Sequence, residues 1–357
     1  MAEAPPTVSP PLVVRFGAFG DMVLMIPMLE TLRRRYGQRC ELVSAGPATA
    51  ALMEFVDAVA GTRILYSRKG PYLLNPDQWR LVRWLRRRPP GPVYVCEIDD
   101  KTHALLRRGG VDDAWVCTRR DFPQQPGEHY IDRYHRLAAT TPRAWTGPAP
   151  EPAPARAPAP QLRPGPAAEQ DCQRWLAQRG LLGRPLVLIQ PGNRRNMRWW
   201  APVQRGSNVK WWPEARWAAV IRGVRAALPE CAVLICGSKQ EGRLAQDILK
   251  LCGEGVHSVT DELPIPRLLA LQTRAHSMIS VDTGPAHSAA ATGCPLVVMF
   301  ATTDTAMYGP AWAPADARVL APASPGLDQP LLSLEPEQVL EAWRSLRARQ
   351  AGTTSPA

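Results

Sequence analysis

The sequence predicts an α/β protein built from two Rossmann-like domains. Short apolar runs alternate with amphipathic helical segments along both halves of the chain, the pattern of parallel sheets covered on both faces. Its 357 residues exceed what a single core comfortably organises. Between the halves, Pro and Ala dominate residues 146–167, a composition that extends as a semi-rigid linker. The predicted division is a disordered leader over 1–10, a first domain over 11–145, that linker, a second domain over 168–330, and a C-terminal helix and tail over 331–357.

In the first half, Leu12–Phe16 reads as a buried strand and Gly17–Asp21 as a tight turn. Met22, Ile26, Leu29, Leu32 and Tyr36 then recur at helical spacing, which predicts one helix over Met22–Tyr36. A strand, a Gly-rich turn and a helix open a parallel sheet whose ligands gather at the carboxyl ends of the strands. Strands are expected at Cys40–Ser44, Ile64–Tyr66, Val93–Ile98 and Ala114–Val116, with helices at Pro47–Val56, Gln78–Arg87 and Tyr130–Ala139. The second half repeats the logic, with strands at Leu186–Gln190, Ala232–Cys236, Ser277–Val281 and Leu296–Phe300 and a short segment near His257. Its helices are expected at Glu169–Arg179, Pro213–Leu228, Gly242–Cys252, Pro266–Arg274 and Glu335–Arg349. A long loop runs from Pro191 to Trp212.

The formal net charge is +11, carried almost wholly by Arg, since the chain has only five lysines. Such a balance fits an acidic partner such as nucleic acid, an anionic membrane face or a phosphorylated substrate, and equally a compositional bias toward Arg, Ala and Pro. The eight cysteines form no C-x-x-C pair, and Cys96, Cys231, Cys236 and Cys294 lie in apolar runs, so they read as reduced core residues rather than metal ligands. The N-terminus lacks a signal segment and no apolar run reaches spanning length, which predicts a cytoplasmic protein. The first turn reads Gly17-x-x-Gly20 rather than G-x-G-x-x-G, which argues against a nicotinamide dehydrogenase.

Four stretches carry chemistry. Asp282-Thr283-Gly284-Pro285 opens an Ala-rich helix with Asp282 as its expected cap, so the Thr283 and Gly284 amides would face an anion; His287 lies one turn in. Asp21 opens a helix at the end of the first strand, either as a plain cap or as a carboxylate aimed at a ligand. Lys210-Trp211-Trp212-Pro213 leads from the long loop into a helix; Trp212 and Trp217 read as packing, and Lys210 as a ligand contact or a solvated charge. Gly237-Ser238 precedes Glu241, which either holds ribose hydroxyls or serves the helix dipole. The loop between Pro191 and Lys210 interleaves Arg194, Arg195, Arg198 and Arg205 with Trp199 and Trp200, a pattern open to single-strand binding or to a flap over a sugar phosphate.

Taken together, Asp-Thr-Gly-Pro-x-His with Ala-Ala-Ala-x-Gly-x-Pro behind it, Arg15-Phe16-Gly17-Ala18-Phe19-Gly20-Asp21 followed by Pro27, and Lys210-x-Trp212-Pro213 resemble glycosyltransferase family 9, the lipopolysaccharide heptosyltransferases. The chain departs from that pattern at Phe16, Phe19, Gln190 and Ala301–Asp304. The resemblance implies a glycosyltransferase B fold, two Rossmann-like domains facing a cleft, with acceptor bound by the first and nucleotide sugar by the second. It implies inverting transfer of a heptose from ADP-heptose to a lipopolysaccharide core acceptor by direct displacement, with no cofactor and no metal. Asp21 would be the base, ionised but weak, so its strength must come from position. Lys210, Thr283 and Gly284 would hold the donor phosphates, and Asp282, His287 and Glu241 would orient the donor. Arg15, Phe19, Arg194 and Arg195 fall to the acceptor or the loop. Arg33–Arg35 and Arg86–Arg88 would meet acidic acceptor groups or the anionic inner face of the cytoplasmic membrane. Nucleic acid is not an expected partner. The alternatives are the same fold with another nucleotide sugar, and a non-catalytic module that binds a nucleotide sugar or nucleic acid.

Overall fold

The computed structural model describes residues 8–68, 72–192, 208–310, 312–313, 316–322 and 328–346. The chain divides into two compact units, Met1–Pro160 and Gln161–Ala357, with the division inside the Pro/Ala-rich stretch.

The first unit carries a five-stranded parallel sheet in the order β3-β2-β1-β4-β5. Its strands are β1 (Leu12–Val14), β2 (Cys40–Ser44), β3 (Val59–Ile64), β4 (Val93–Val95) and β5 (Val116–Thr118). The helices are α1 (Phe19–Leu24), α2 (Ile26–Tyr36), α3 (Pro47–Met53), α4 (Pro76–Arg87), α5 (Asp100–Arg108) and α6 (Tyr130–Ala138). β1 and β4 sit centrally and are buried along their length, as parallel strands covered on both faces must be. Leu12, Val14, Val43, Val93 and Val95 pack there against Leu81, Val82 and Leu85 of α4 and Leu105 and Leu106 of α5.

The helix expected over Met22–Tyr36 is in fact two. Pro27 has no amide to donate and its ring excludes the carbonyl four residues back, so the chain restarts at Ile26 with Met25 between the helices. α1 also begins at Phe19, so the glycine turn is shorter than predicted. The strand expected at Ile64–Tyr66 is β3, whose Gly61, Thr62 and Arg63 hid an edge strand from an apolar search. The strand expected at Ala114–Val116 begins later, because Asp113–Trp115 forms a 3₁₀ turn capped by Asp112. α5 was not anticipated: Asp99 caps it by accepting from the Thr102 amide at 2.9 Å, and six of its nine residues are polar or charged.

The second unit carries a six-stranded parallel sheet in the order β11-β10-β9-β6-β7-β8. α7 (Pro166–Gln178) precedes β6 (Leu186–Gln190), and α8 (Glu214–Ala227) precedes β7 (Ala232–Ile235). Then follow α9 (Gly242–Leu249), β8 (Val256–Ser258), α10 (Ile265–Arg274), β9 (Ser277–Val281), α11 (Gly284–Ala291) and β10 (Leu296–Met299). α12 (Thr305–Tyr308), β11 (Ala317–Leu320) and α13 (Pro336–Arg344) complete it. β11 is a half-exposed edge strand that the sequence reading missed. Trp212 and Trp217 are fully buried and stack edge to face at 5.0 Å, and Trp212 Nε1 donates to the Leu334 carbonyl at 3.0 Å. They fasten the segment before α8 to the segment before α13. All eight cysteines are free, seven of them buried, and burial pushes the Cys96 and Cys236 thiols up to about 12. Among the described residues no helix is long and apolar enough to cross a membrane.

Two arginine groups correct the charge reading. Arg35 and Arg88 are buried rather than displayed. Arg88 Nε donates to Glu41 at 2.8 Å, and its other end reaches the Pro10 carbonyl, while the Ser9 amide donates to the Pro90 carbonyl at 3.0 Å. Residues 8–10 of the predicted leader are therefore tied down; 1–7 lie outside the described residues. Arg35 donates to the carbonyls of Ala138, Thr140 and Glu151 and to Thr141 Oγ1. The Glu151 amide returns a bond to the Arg35 carbonyl at 3.0 Å, and His135 Nε2 meets the Pro154 carbonyl at 2.7 Å. The start of the Pro/Ala stretch is thus part of the first unit's fold. Replacing Arg35 with Met should strip the buried Ala138 carbonyl of this donor, remove the bonds to Thr140, Thr141 and Glu151, and cost about 3 kcal/mol in urea denaturation, against a few tenths for the exposed Arg34→Met.

Candidate functional site

Both sheets present chemically equipped residues at the carboxyl ends of their central strands, where open α/β sheets bind ligands. In the first unit these are Arg15 after β1, Glu97 after β4 and Asp21 in α1. Asp21 is the third residue of α1, not its cap; Ala18 holds the cap position, and Asp21 Oδ2 reaches back to accept from the Ala18 amide at 2.9 Å. The same oxygen lies 3.4 Å from the Arg15 guanidinium, which leaves Oδ1 without a partner among the described residues. Asp21 keeps 32% of its side-chain exposure, so that oxygen can meet a ligand. Gly17 makes the arrangement possible: a Cβ there would lie 2.7 Å from Asp21 Cβ and 2.9 Å from Arg15 Nε.

Arg15 was expected to face an acceptor, and the structure places it differently. It is buried, donates to Glu97 Oε1 at 3.1 Å, and lies over the Tyr134 ring at 6.0 Å. Burial disfavours its charge, but Tyr134, Tyr130, Glu97 and Asp21 more than compensate, so the guanidinium is held firmly cationic. Glu97 Oε1 also accepts the Phe16 amide at 2.7 Å. Glu97 went unmarked in the sequence, although an acid directly after a buried strand was the available signal. Phe19, the first residue of α1, is half-buried, and Arg68 covers the Phe16 ring at 4.3 Å.

In the second unit the structure brings Lys210, Asp282 and His287 together. Lys210 Nζ donates to Asp282 Oδ2 at 2.5 Å and to the Asp282 carbonyl at 2.8 Å, while His287 Nε2 lies 3.6 Å from Oδ1. Burial raises the Asp282 carboxyl, but His287 and Lys210 outweigh it and hold it well below the usual carboxylate range. Asp282 therefore does not cap α11 as expected, because its carboxylate is committed to Lys210 and His287; Thr283 is the cap residue and makes no side-chain cap bond. The Thr283 and Gly284 amides find no acceptor among the described residues, and Pro285 has no amide to offer. Lys210 keeps one of its three ammonium protons uncommitted. The result is a cation and two amides at the positive end of a helix, suited to a diphosphate. Behind it, buried Gln272 donates to the Pro285 carbonyl at 2.9 Å and accepts from Ser288 Oγ at 2.9 Å, which fixes where α11 starts.

Glu241 stands at the same edge but is already engaged. Its Oε2 accepts from the Ser238 amide at 2.7 Å and from Ser238 Oγ at 2.8 Å, and Oε1 accepts from Gln190 Nε2 at 3.0 Å. It is buried, as a capping-box acid serving the turn before α9. A Cβ on Gly192 would fall 2.3 Å from Glu241 Oε1, so this acid also sets the shape of the chain leaving β6. Arg194, Arg195, Arg198, Trp199, Trp200 and Arg205 lie outside the described residues. Among the described residues, no three His, Cys, Asp or Glu side chains stand together as a metal site.

Known proteins share this two-sheet fold. A family model described as glycosyltransferase family 9 (heptosyltransferase) matches residues 102–329. The chain is 30% identical over 146 residues to lipopolysaccharide heptosyltransferase 3 of Escherichia coli, a match spanning 41% of this chain and 39% of that protein. It superposes on a family 9 glycosyltransferase of Veillonella parvula with a TM-score of 0.76 at 16% identity, covering 94% of this chain and 96% of the other. Against the Escherichia coli ADP-heptose lipopolysaccharide heptosyltransferase II the TM-score is 0.74 at 18% identity, with 94% and 98% covered. These solved structures share the glycosyltransferase B fold. The chain belongs to glycosyltransferase family 9, the heptosyltransferases.

Proposed function

We propose that this glycosyltransferase moves a heptose from ADP-heptose to a lipopolysaccharide core acceptor, with the second unit holding the donor and the first the acceptor. The observation that carries the reading is the Lys210–Asp282–His287 cluster beside the open amides of α11, a seat for a diphosphate. The donor assignment draws support from the Escherichia coli heptosyltransferase WaaC, solved with ADP and with ADP-2-deoxy-2-fluoro heptose. An acceptor of this kind sets the work at the anionic cytoplasmic face of the inner membrane.

In this reading the acceptor hydroxyl attacks the anomeric carbon while the bond to the diphosphate breaks. The free Oδ1 of Asp21 takes the hydroxyl proton as the new bond forms. Lys210 and the Thr283 and Gly284 amides stabilise the charge that develops on the departing ADP. Asp282 and His287 keep Lys210 aimed. Arg15 fixes the Asp21 carboxylate in place, and the gain comes from orientation.

Asp21→Asn should lower kcat by roughly 10²–10⁴-fold while ADP still stabilises the protein against heat. Unchanged turnover would remove Asp21 as the base, and a non-catalytic module would show no turnover in either form. In a thermal-shift panel, ADP and ADP-heptose at about a hundredfold their dissociation constants should add roughly 2–3 kcal/mol. Stabilisation by UDP or GDP in their place would overturn the donor but keep the fold and the chemistry. Lys210→Ala should weaken ADP binding at least tenfold.

Asp282 supplies a pH signature. A carboxyl held below its unfolded value, about 4, contributes stability above that value and loses it as pH falls through the lower folded value. The stability gap between wild type and Asp282→Asn should therefore be full at pH 7, persist near pH 4, and close only in stronger acid.

A further inference from the structure

The outer face of α4 and the turn before it belong to neither site described above. Leu73 and Leu74 are 74% and 78% exposed, more than any other large apolar side chain among the described residues. Trp79 follows at 43% exposure, with its Nε1 donating to the Tyr72 carbonyl at 2.7 Å. Exposed apolar side chains gathered in one short segment mark a contact surface.

The charge beside them has one sign. Trp79, Arg83, Arg86 and Arg87 share a face of α4 at helical spacing. Together with Tyr72 and Val82 they line an open groove of about 490 Å³. Arg86 Nε rests on the Arg108 carbonyl at 3.1 Å, and Arg83 and Arg87 have no carboxylate partner among the described residues. The single acid of α4, Asp77, is occupied by Arg80 at 3.0 Å. Arg88, by contrast, turns inward to Glu41 and leaves this face.

We infer that this face docks on an anionic lipid bilayer, with Leu73 and Leu74 entering the acyl boundary, Trp79 at the headgroup level, and Arg83, Arg86 and Arg87 gripping lipid phosphates. A cationic helix face with an apolar tip and an interfacial Trp fits a charged lipid surface, since the apolar and ionic parts are satisfied at different depths of the same layer. The uniform charge and the unpaired guanidiniums select an anionic surface over a neutral one. The inference deepens the reading of a membrane-borne acceptor and rests on it for its purpose, while the surface itself is argued from these residues alone.

Flotation of the full-length protein with phosphatidylcholine vesicles, with and without about one-third phosphatidylglycerol, tests it at about 0.1 M salt. Wild type should float with the anionic vesicles and not with the neutral ones. Arg83→Gln/Arg87→Gln should reduce that partitioning roughly 30-fold, at about 1 kcal/mol for each charge. Leu73→Ser/Leu74→Ser should reduce it at least tenfold at unchanged net charge. Both variants alter exposed side chains, and Leu73→Ser/Leu74→Ser should keep wild-type turnover on a detergent-free, water-soluble acceptor. Equal binding to the two vesicle types, or variants that float like wild type, would overturn the inference. So would a Leu73→Ser/Leu74→Ser protein whose mass by light scattering drops while its flotation is unchanged, since the face would then join two copies of the chain. Failure of the enzymatic reading looks different: the protein floats and responds to these variants, yet transfers no sugar.

Discussion

An ammonium and a carboxylate 72 residues apart in the chain meet at 2.5 Å, and the second unit's ligand edge depends on that pair. Lys210 arrives on the segment before α8, anchored by the buried Trp212 and Trp217. Asp282 arrives at the end of β9, the strand between β6 and β10. A buried carboxylate carries a desolvation cost that a close cation and hydrogen bonds offset, and Lys210 and His287 do this for Asp282. That demand removes Asp282 from capping α11, and the first-turn amides stay open as a result. Had Asp282 capped the helix, the same carboxylate would have filled the place of an incoming anion.

The first unit solves a different problem with similar parts. One arginine, buried among aromatics and flanked by two carboxylates, holds Asp21 by a single oxygen. A glycine beneath allows the approach, and the helix return bond from Ala18 adds a second restraint. The proton transfer proposed for Asp21 asks for a carboxylate whose reactive oxygen is fixed and exposed; Arg15 and Ala18 hold the group, and its remaining exposure leaves Oδ1 open.

Much of this was legible before any coordinates. The interior strands β1, β7 and β10 announce themselves as uninterrupted apolar runs, because a strand buried on both faces has no polar alternation to confuse it. Edge strands do not: β3 carries Gly61, Thr62 and Arg63, and β11 is half exposed, so neither stands out from loop. Motif spacing pointed to Lys210, Asp282 and His287, but not to their mutual contact, since an ion pair over 72 residues leaves no local trace. Short-range rules also misread the cap: Asp282 sits where a cap belongs but is held by Lys210 and His287. For Glu241 they left open a ribose contact or service to the helix start, and the structure shows it bonded to Ser238 and Gln190. Charge was the least readable quantity of all, because Arg15, Arg35 and Arg88 are buried in hydrogen-bond networks that composition alone assigns to the surface.

The cysteines have a consequence for handling the molecule. Seven thiols are sealed in the two cores, with those of Cys96 and Cys236 kept protonated by burial, and so are closed to electrophiles while the fold lasts. Cys252, just past the end of α9, is the one that is partly open. The native chain therefore offers a single attachment point for a thiol-directed fluorophore or spin label, in the second unit and away from Lys210, Asp282 and His287 in sequence. The seven hidden thiols become a built-in reporter of global opening, silent until the cores come apart.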